Sequence, residues 1–236
     1  MHVTYFVTFL SVICIVNSTP PSFVNRCKYG DSECTKESTV VAIPIFAAGL
    51  PEYGVEKLDP VTFNKVDASS PNLKFILTDV EVTGLSGCKP KQIQHGSKLE
   101  LKILCQAKLN GNYELNGQVL VLPIKGKGKI HVDLKTTQIN VDANYEEKLG
   151  DDGKKHWHIT KWSYTFELQD KSDVVFENLF DGNEVLGQAA RELIANNGND
   201  IIKEIGSPMI KAAVARVMKN IERFFKAIPV EDLILN

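Results

Sequence analysis

Residues 122–134 read Leu122-Pro123-Ile124-Lys125-Gly126-Lys127-Gly128-Lys129-Ile130-His131-Val132-Asp133-Leu134. The even positions are apolar or glycine, and the odd positions from Lys125 onward are charged or histidine. A sustained period of two is that of a β-strand with one dry face and one wet face. Gly126 and Gly128 fall on the dry face, where a missing side chain leaves room for another stretch of backbone or for a ligand. The Gly-Lys-Gly-Lys run is not a phosphate loop, because it lacks the spacing of that motif and is embedded in a strand pattern. Pro123 marks an edge or a bulge.

On both sides of this segment, from about Leu73 to Leu168, strand-like stretches alternate with polar or glycine turns, the pattern of a long antiparallel meander. Leu99, Leu101, Ile103, Cys105, Ala107 and Leu109 share one face, and Lys98, Glu100, Lys102, Gln106 and Lys108 alternate with them. If His95-Gly96-Ser97-Lys98 is a hairpin turn, facing residues have numbers that sum to 193. That register places Cys88 opposite Cys105, and Val80, Val82 and Gly84 on the face of Tyr113, Gly111 and Leu109. Ile139, Val141, Ala143 and Tyr145 continue the meander, Asp151-Asp152-Gly153 turns it, and His158, Trp162, Tyr164 and Phe166 return.

After Asp181-Gly182 the period lengthens to that of a helix. Leu186, Ala190, Leu193, Ile194, Ile201, Ile202, Ile205, Met209, Ala213, Val217, Ile221, Phe224 and Ile228 form one apolar stripe. Pro208 is expected to kink or break it after Gly206-Ser207, and Pro229 to stop it. So long a stripe needs a cover, and the only large apolar surface in the chain is the dry face of the sheet. The expected fold is therefore α+β: a strongly curved antiparallel β-sheet wrapped around a long C-terminal α-helix. No Ser/Gly-rich linker, repeat period or long charge block interrupts residues 40–236, and residues 19–236 read as one domain.

Val3 to Val16 carry no charge and are mostly apolar, and Val16-Asn17-Ser18 supplies small residues for cleavage. Residues 1–18 are expected to be a secretory signal peptide, since a bilayer span needs about 20 apolar residues. The sequon Asn17-Ser18-Thr19 straddles the cleavage point and would be lost. Removing the leader takes Cys14 and leaves Cys27, Cys34, Cys88 and Cys105, an even set in a secreted chain. Of the possible pairings, spacing favours Cys27 with Cys34 across a short loop and Cys88 with Cys105 across the hairpin. A zinc site is the competing reading, but no Cys-x-x-Cys pair and no histidine beside these cysteines supports it.

The 27 basic and 29 acidic side chains give a net charge of −2, which argues against a nucleic-acid partner. There is no Gly-x-Ser-x-Gly elbow; Gly84-Leu85-Ser86-Gly87 has the wrong spacing. His156 and His158 share a strand face but lack a carboxylate at ligand spacing, and Asp151-Asp152 reads as a turn. No catalytic constellation, metal site or cofactor is expected.

Four stretches carry a resemblance to a known family: Cys27 and Cys34 soon after a signal peptide; Gly49-Leu50-Pro51-Glu52-Tyr53-Gly54-Val55 with Leu58-Asp59-Pro60; Gly117-Gln118-Val119-Leu120-Val121-Leu122-Pro123-Ile124-Lys125-Gly126; and Phe176-Glu177-Asn178-Leu179-Phe180-Asp181-Gly182. With Phe224-Phe225-Lys226-Ala227-Ile228-Pro229, their order and spacing resemble the insect juvenile-hormone-binding protein and takeout family. The resemblance implies a curved sheet around a long helix, an internal hydrophobic tunnel and a secreted carrier in haemolymph or another extracellular fluid. The hormone-binding branch has a further disulfide in the C-terminal region, whereas this chain has no cysteine after Cys105, which favours the takeout-like branch.

The expected ligand is small and hydrophobic: juvenile hormone, a related terpenoid or a fatty acyl lipid. Each methylene moved into a dry tunnel gains about 0.8 kcal/mol. The expected tunnel wall comprises Ile124, Gly126, Gly128, Ile130 and Val132, the aromatic Trp162, Tyr164 and Phe166, and Ile202, Met209, Val217 and Phe224 of the helix stripe. The alternative is a secreted regulatory protein acting in feeding, circadian or hormone signalling through a surface partner such as an extracellular receptor. An integral membrane association is not expected.

Overall fold

The computed structural model of the chain describes residues 21–120 and 122–235. The expected leader, residues 1–18, lies outside the described residues. In chain order, Cys27–Lys28 (β1) precedes Ser32–Ala48 (α1), then come Val61–Asp67 (β2), Leu73–Thr83 (β3), Lys89–His95 (β4) and Leu99–Val119 (β5). Leu122–Leu149 (β6), Lys155–Leu168 (β7) and Asp173–Phe176 (β8) follow. The helices are then Glu184–Asn196 (α2), Gly198–Ile205 (α3), Ser207–Ala227 (α4) and Val230–Leu233 (α5), before Ile234–Leu235 (β9).

The architecture is α+β: an open, curved antiparallel sheet in the order β2-β3-β5-β6-β7, with the C-terminal helices packed on its apolar face. Its spine is the pair β5 and β6, of 21 and 28 residues. β4 and β3 share one edge of β5, and β8 and β7 share one edge of β6. Separately, β1 pairs in parallel with β9 and ties the N-terminal segment to the C-terminal one.

Both cysteine pairs form, with Cα separations of 5.7 Å for Cys27–Cys34 and 4.3 Å for Cys88–Cys105. The hairpin register is the expected one at Lys89–Leu104 and Pro90–Ile103, next to the second disulfide. Nearer the turn it shifts by one, because a bulge follows Pro90 and the turn has three residues, with His95 facing Leu99. The register does not extend to β3, contrary to expectation. Val82 faces Leu109 and Leu77 faces Tyr113, because the turn Leu85–Gly87 separates β3 from β4 and a bulge runs from Thr78 to Glu81.

Two further bulges decide which side chains face inward. Even positions of β6 point in as far as Leu134, but a register shift opposite Cys105 and Ala107 turns Thr137, Ile139, Val141 and Ala143 inward beyond it. A shift between Asn144 and Tyr145 breaks the alternation expected of β7. Trp162, Tyr164 and Phe166 face Ala143, Val141 and Ile139, but it is Trp157, 5% exposed, and not His158 that turns inward at the other end of the strand.

The helical stripe is cut into three pieces where the sequence predicted one long helix or a helix pair. The first break falls at Asn197, next to Gly198, where a Cβ would stand 2.3 Å from the Ser172 carbonyl oxygen, so only glycine lets the chain pass Ser172 that closely. The second falls at Gly206, and Pro208 then lies in the first turn of α4, where its missing N–H costs nothing. α1 was not foreseen. Its start is set by Asp31, whose carboxylate accepts a hydrogen bond from the Cys34 amide at 3.1 Å.

Candidate functional site

Between α1, the β4–β6 part of the sheet and α4 lies a cavity of about 390 Å³. The sheet contributes Ile93, His95, Leu99, Leu101, Ile103, Ile139, Val141 and Trp157. Helix α4 contributes Ile210, Ala213, Val214, Val217, Met218, Ile221, Phe224 and Phe225, a continuous stripe at helical spacing. Helix α1 closes the space with Thr35, Ser38, Thr39, Ala42, Ile43, Phe46 and Ala47. The disulfide residues Cys27, Cys88 and Cys105 also border it. A second cavity of about 60 Å³ adjoins it, bordered by Phe75, Ile130, Val132, Val174, Phe176, Ile202, Ile205 and Met209. Leu134 and Ile210 border both.

The expected wall residues are distributed as follows. Val217 and Phe224 border the larger cavity, and Ile130, Val132, Ile202 and Met209 the smaller. Ile124 is buried in the sheet-helix core, and Trp162, Tyr164 and Phe166 pack against the helices; none of these four borders either cavity. The Tyr164 hydroxyl donates to the Ser207 carbonyl at 3.3 Å and so anchors the start of α4. At Gly126 and Gly128 the space is taken by another backbone: a Cβ on Gly126 would stand 2.6 Å from Tyr113 Oη and 3.1 Å from Leu179 Cα, and one on Gly128 2.6 Å from the Glu177 carbonyl oxygen. The Tyr113 hydroxyl pins that crossing segment by donating to the Glu177 carbonyl at 2.6 Å.

The larger cavity has one polar cluster in its sheet wall. His95 is 8% exposed, with its ring centroid 4.4 Å from Trp157 and 5.4 Å from Tyr145. Tyr145 Oη lies 2.7 Å from His95 Nε2 and 2.5 Å from the Gly96 carbonyl oxygen. Burial pushes the Tyr145 hydroxyl up to about 12, with Tyr29 and Glu147 adding to the effect, and burial holds His95 below its ordinary value. Trp157 Nε1 is buried and, among the described residues, has no hydrogen-bond partner. Sequence periodicity missed His95, Trp157 and all of α1; the one signal available was Asp31 ahead of Glu33 as a helix start.

Contrary to the sequence reading that His156 and His158 have no carboxylate beside them, His156 Nε2 contacts the Asp152 carboxylate at 3.1 Å. Among the described residues no group of three or more potential ligands comes together, and no helix is long and apolar enough to cross a membrane.

A curved antiparallel sheet with helices packed on its apolar face and a cavity of this size between them defines the class of fold. The chain belongs to the haemolymph juvenile hormone binding protein (JHBP) family, whose profile matches residues 6–235. Takeout 1 of Epiphyas postvittana has a similar structure, with a TM-score of 0.86 and 28% sequence identity over 90% of this chain and all of that one. The circadian clock-controlled protein daywake is similar in sequence: 23% identical in Drosophila yakuba over 88% of both chains, and 24% identical in Drosophila melanogaster over 85% of this chain and 82% of that one.

Proposed function

We propose that the chain is a secreted carrier that holds a small hydrophobic ligand, a terpenoid or a fatty acyl compound, in the larger cavity. The observation that carries this reading is the cavity itself: about 390 Å³ lined mainly by aliphatic and aromatic side chains, within the range of about 300–1,000 Å³ typical of small-molecule sites. Binding is by hydrophobic transfer, at about 0.8 kcal/mol per methylene, and the few polar groups set orientation. The family's description supports juvenile hormone as one member of the ligand class, while the lack of a cysteine after Cys105 supports a takeout-like relative with a different ligand. Two disulfides support an extracellular setting.

The test is displacement of an apolar fluorophore from the purified protein by a panel of terpenoids and fatty acyl compounds. Displacement by a member of the panel, and its loss in Ala213→Trp, which fills the cavity from α4, is the expected result. A fluorophore that never binds, or that binds Ala213→Trp equally well, counts against the cavity as the site.

A second reading, a regulatory protein acting through a surface partner, is favoured by the names of the daywake relatives and by Val40 and Val41. These two are 54% and 52% exposed on α1, the helix that closes the cavity. On that reading the ligand changes the pose of α1 and the partner reads it.

A further inference from the structure

The hydroxyl groups that border the larger cavity have all committed their protons. Thr35 Oγ1 donates to the Asp31 carbonyl at 2.7 Å, Ser38 Oγ to Asn25 at 3.3 Å, Thr39 Oγ1 to Thr35 at 2.7 Å and Thr137 Oγ1 to Lys135 at 3.1 Å. What remains to each is a lone pair, which only accepts.

His95 adds a stronger acceptor. The Gly96 carbonyl can only accept, so the single phenolic proton of Tyr145 points to it across 2.5 Å. The contact of 2.7 Å between Tyr145 Oη and His95 Nε2 is then made by a proton on Nε2. In the neutral ring that leaves Nδ1 as a bare lone pair, and among the described residues it has no hydrogen-bond partner. The ring is 8% exposed and borders the cavity. Burial, which disfavours the imidazolium, keeps it neutral.

We propose that His95 is the specificity-determining contact of this cavity, accepting through Nδ1 a hydrogen bond from the ligand, and that the preferred ligand is therefore an apolar chain ending in a hydroxyl. An ether, ester or epoxide of the same length has no proton to donate and leaves Nδ1 unpaired. This rests on the carrier reading and narrows it to a ligand class.

The experiment compares dodecyl alcohol with dodecyl methyl ether, each displacing an apolar fluorophore from the wild-type chain, from His95→Leu and from Tyr145→Phe. One hydrogen bond gained inside an apolar site corresponds to a preference for the alcohol of about fivefold to tenfold in the wild type. His95→Leu brings that ratio to about one while binding of the ether stays within about twofold. Tyr145→Phe frees the ring to present either nitrogen as the protonated one, so the ratio falls between the two. Equal binding of alcohol and ether by the wild type, a measurement that needs no variant to fold, overturns the role of His95 and leaves the carrier reading standing. Binding of neither compound overturns both.

Discussion

Leu134 of β6 and Ile210 of α4 are the two residues that border both cavities, so together they form the partition between a space of about 390 Å³ and one of about 60 Å³. Leu134 is the last even-numbered residue of β6 to face inward before the bulge, and Ile210 lies in the first turns of α4, just past the break at Gly206. The partition therefore stands where both the sheet and the helices change phase.

Trimming the partition should lengthen the chain the protein accepts. In Ile210→Ala the smaller cavity joins the larger, and each additional methylene that enters it strengthens binding by about 0.8 kcal/mol, roughly fourfold. A series of saturated alcohols of increasing length should reach its affinity maximum at a longer chain in the variant than in the wild type. An unchanged maximum would mean that the two spaces do not communicate. The substitution should also cost about 2 kcal/mol of stability, since the removed atoms are partly buried.

The second prediction concerns acid. His95 binds its proton less readily in the folded chain, because burial disfavours the imidazolium, and the groups around it are Tyr145, Tyr29 and Trp157, none of them a carboxylate. A base whose folded value lies below its unfolded value of about 6.5 is protonated first in the unfolded chain. Its stabilising contribution is thus complete above about pH 6.5 and is lost as the pH falls from there towards the folded value. His158, lowered by burial and by Lys226 and Lys148, acts in the same direction. Melting curves collected from about pH 7.5 to pH 5 should show a steeper loss for the wild type than for His95→Phe. Parallel curves would show that His95 carries no such linkage.

Gly126→Ala tests whether the dry-face glycines make room for backbone or for ligand. The added methyl would stand 2.6 Å from Tyr113 Oη and 3.1 Å from Leu179 Cα, and Tyr113 is 2% exposed and has nowhere to move. Overpacking of this kind costs about 1–3 kcal/mol, and at about 2–4 °C per kcal/mol for a chain of this size Tm should fall by several degrees. Ligand affinity should change little. A variant that melts like the wild type but binds ligand less well would reassign Gly126 to the binding wall.

Much of the fold was legible because one face of the sheet is dry and the other wet. Leu99, Leu101, Ala107 and Leu109 announced β5, and the hairpin turn expected between β4 and β5 put Cys88 across from Cys105. The change of period after Gly182 announced the helices on the sheet. What the pattern could not carry was phase. An extra residue after Leu134 in β6, and another at Thr160 in β7, reverses every side chain beyond it, and neither bulge has a glycine or proline to mark it. Helix α1 was hidden for a different reason. Thr35, Thr39, Val40, Val41, Ile43 and Ile45 are β-branched and Pro44 interrupts it, so neither propensity nor an apolar stripe signals a helix there. The cavity wall inherited both gaps. A glycine on a dry face signals space, but whether backbone fills it is decided by residues 177–179, some fifty positions along the chain. The cavity borders Trp157, His95 and α1 instead, residues whose positions depend on the bulges and on a helix with no legible stripe.

The central claim is that the larger cavity is a ligand-binding space. Native mass spectrometry of the protein secreted from insect cells, followed by organic extraction, addresses it directly. The account predicts a non-covalent adduct that extracts as a small hydrophobic compound, with an apolar chain and a hydroxyl group. A protein that arrives empty, and that takes up no member of a terpenoid and fatty acyl panel when incubated with it, would contradict the account.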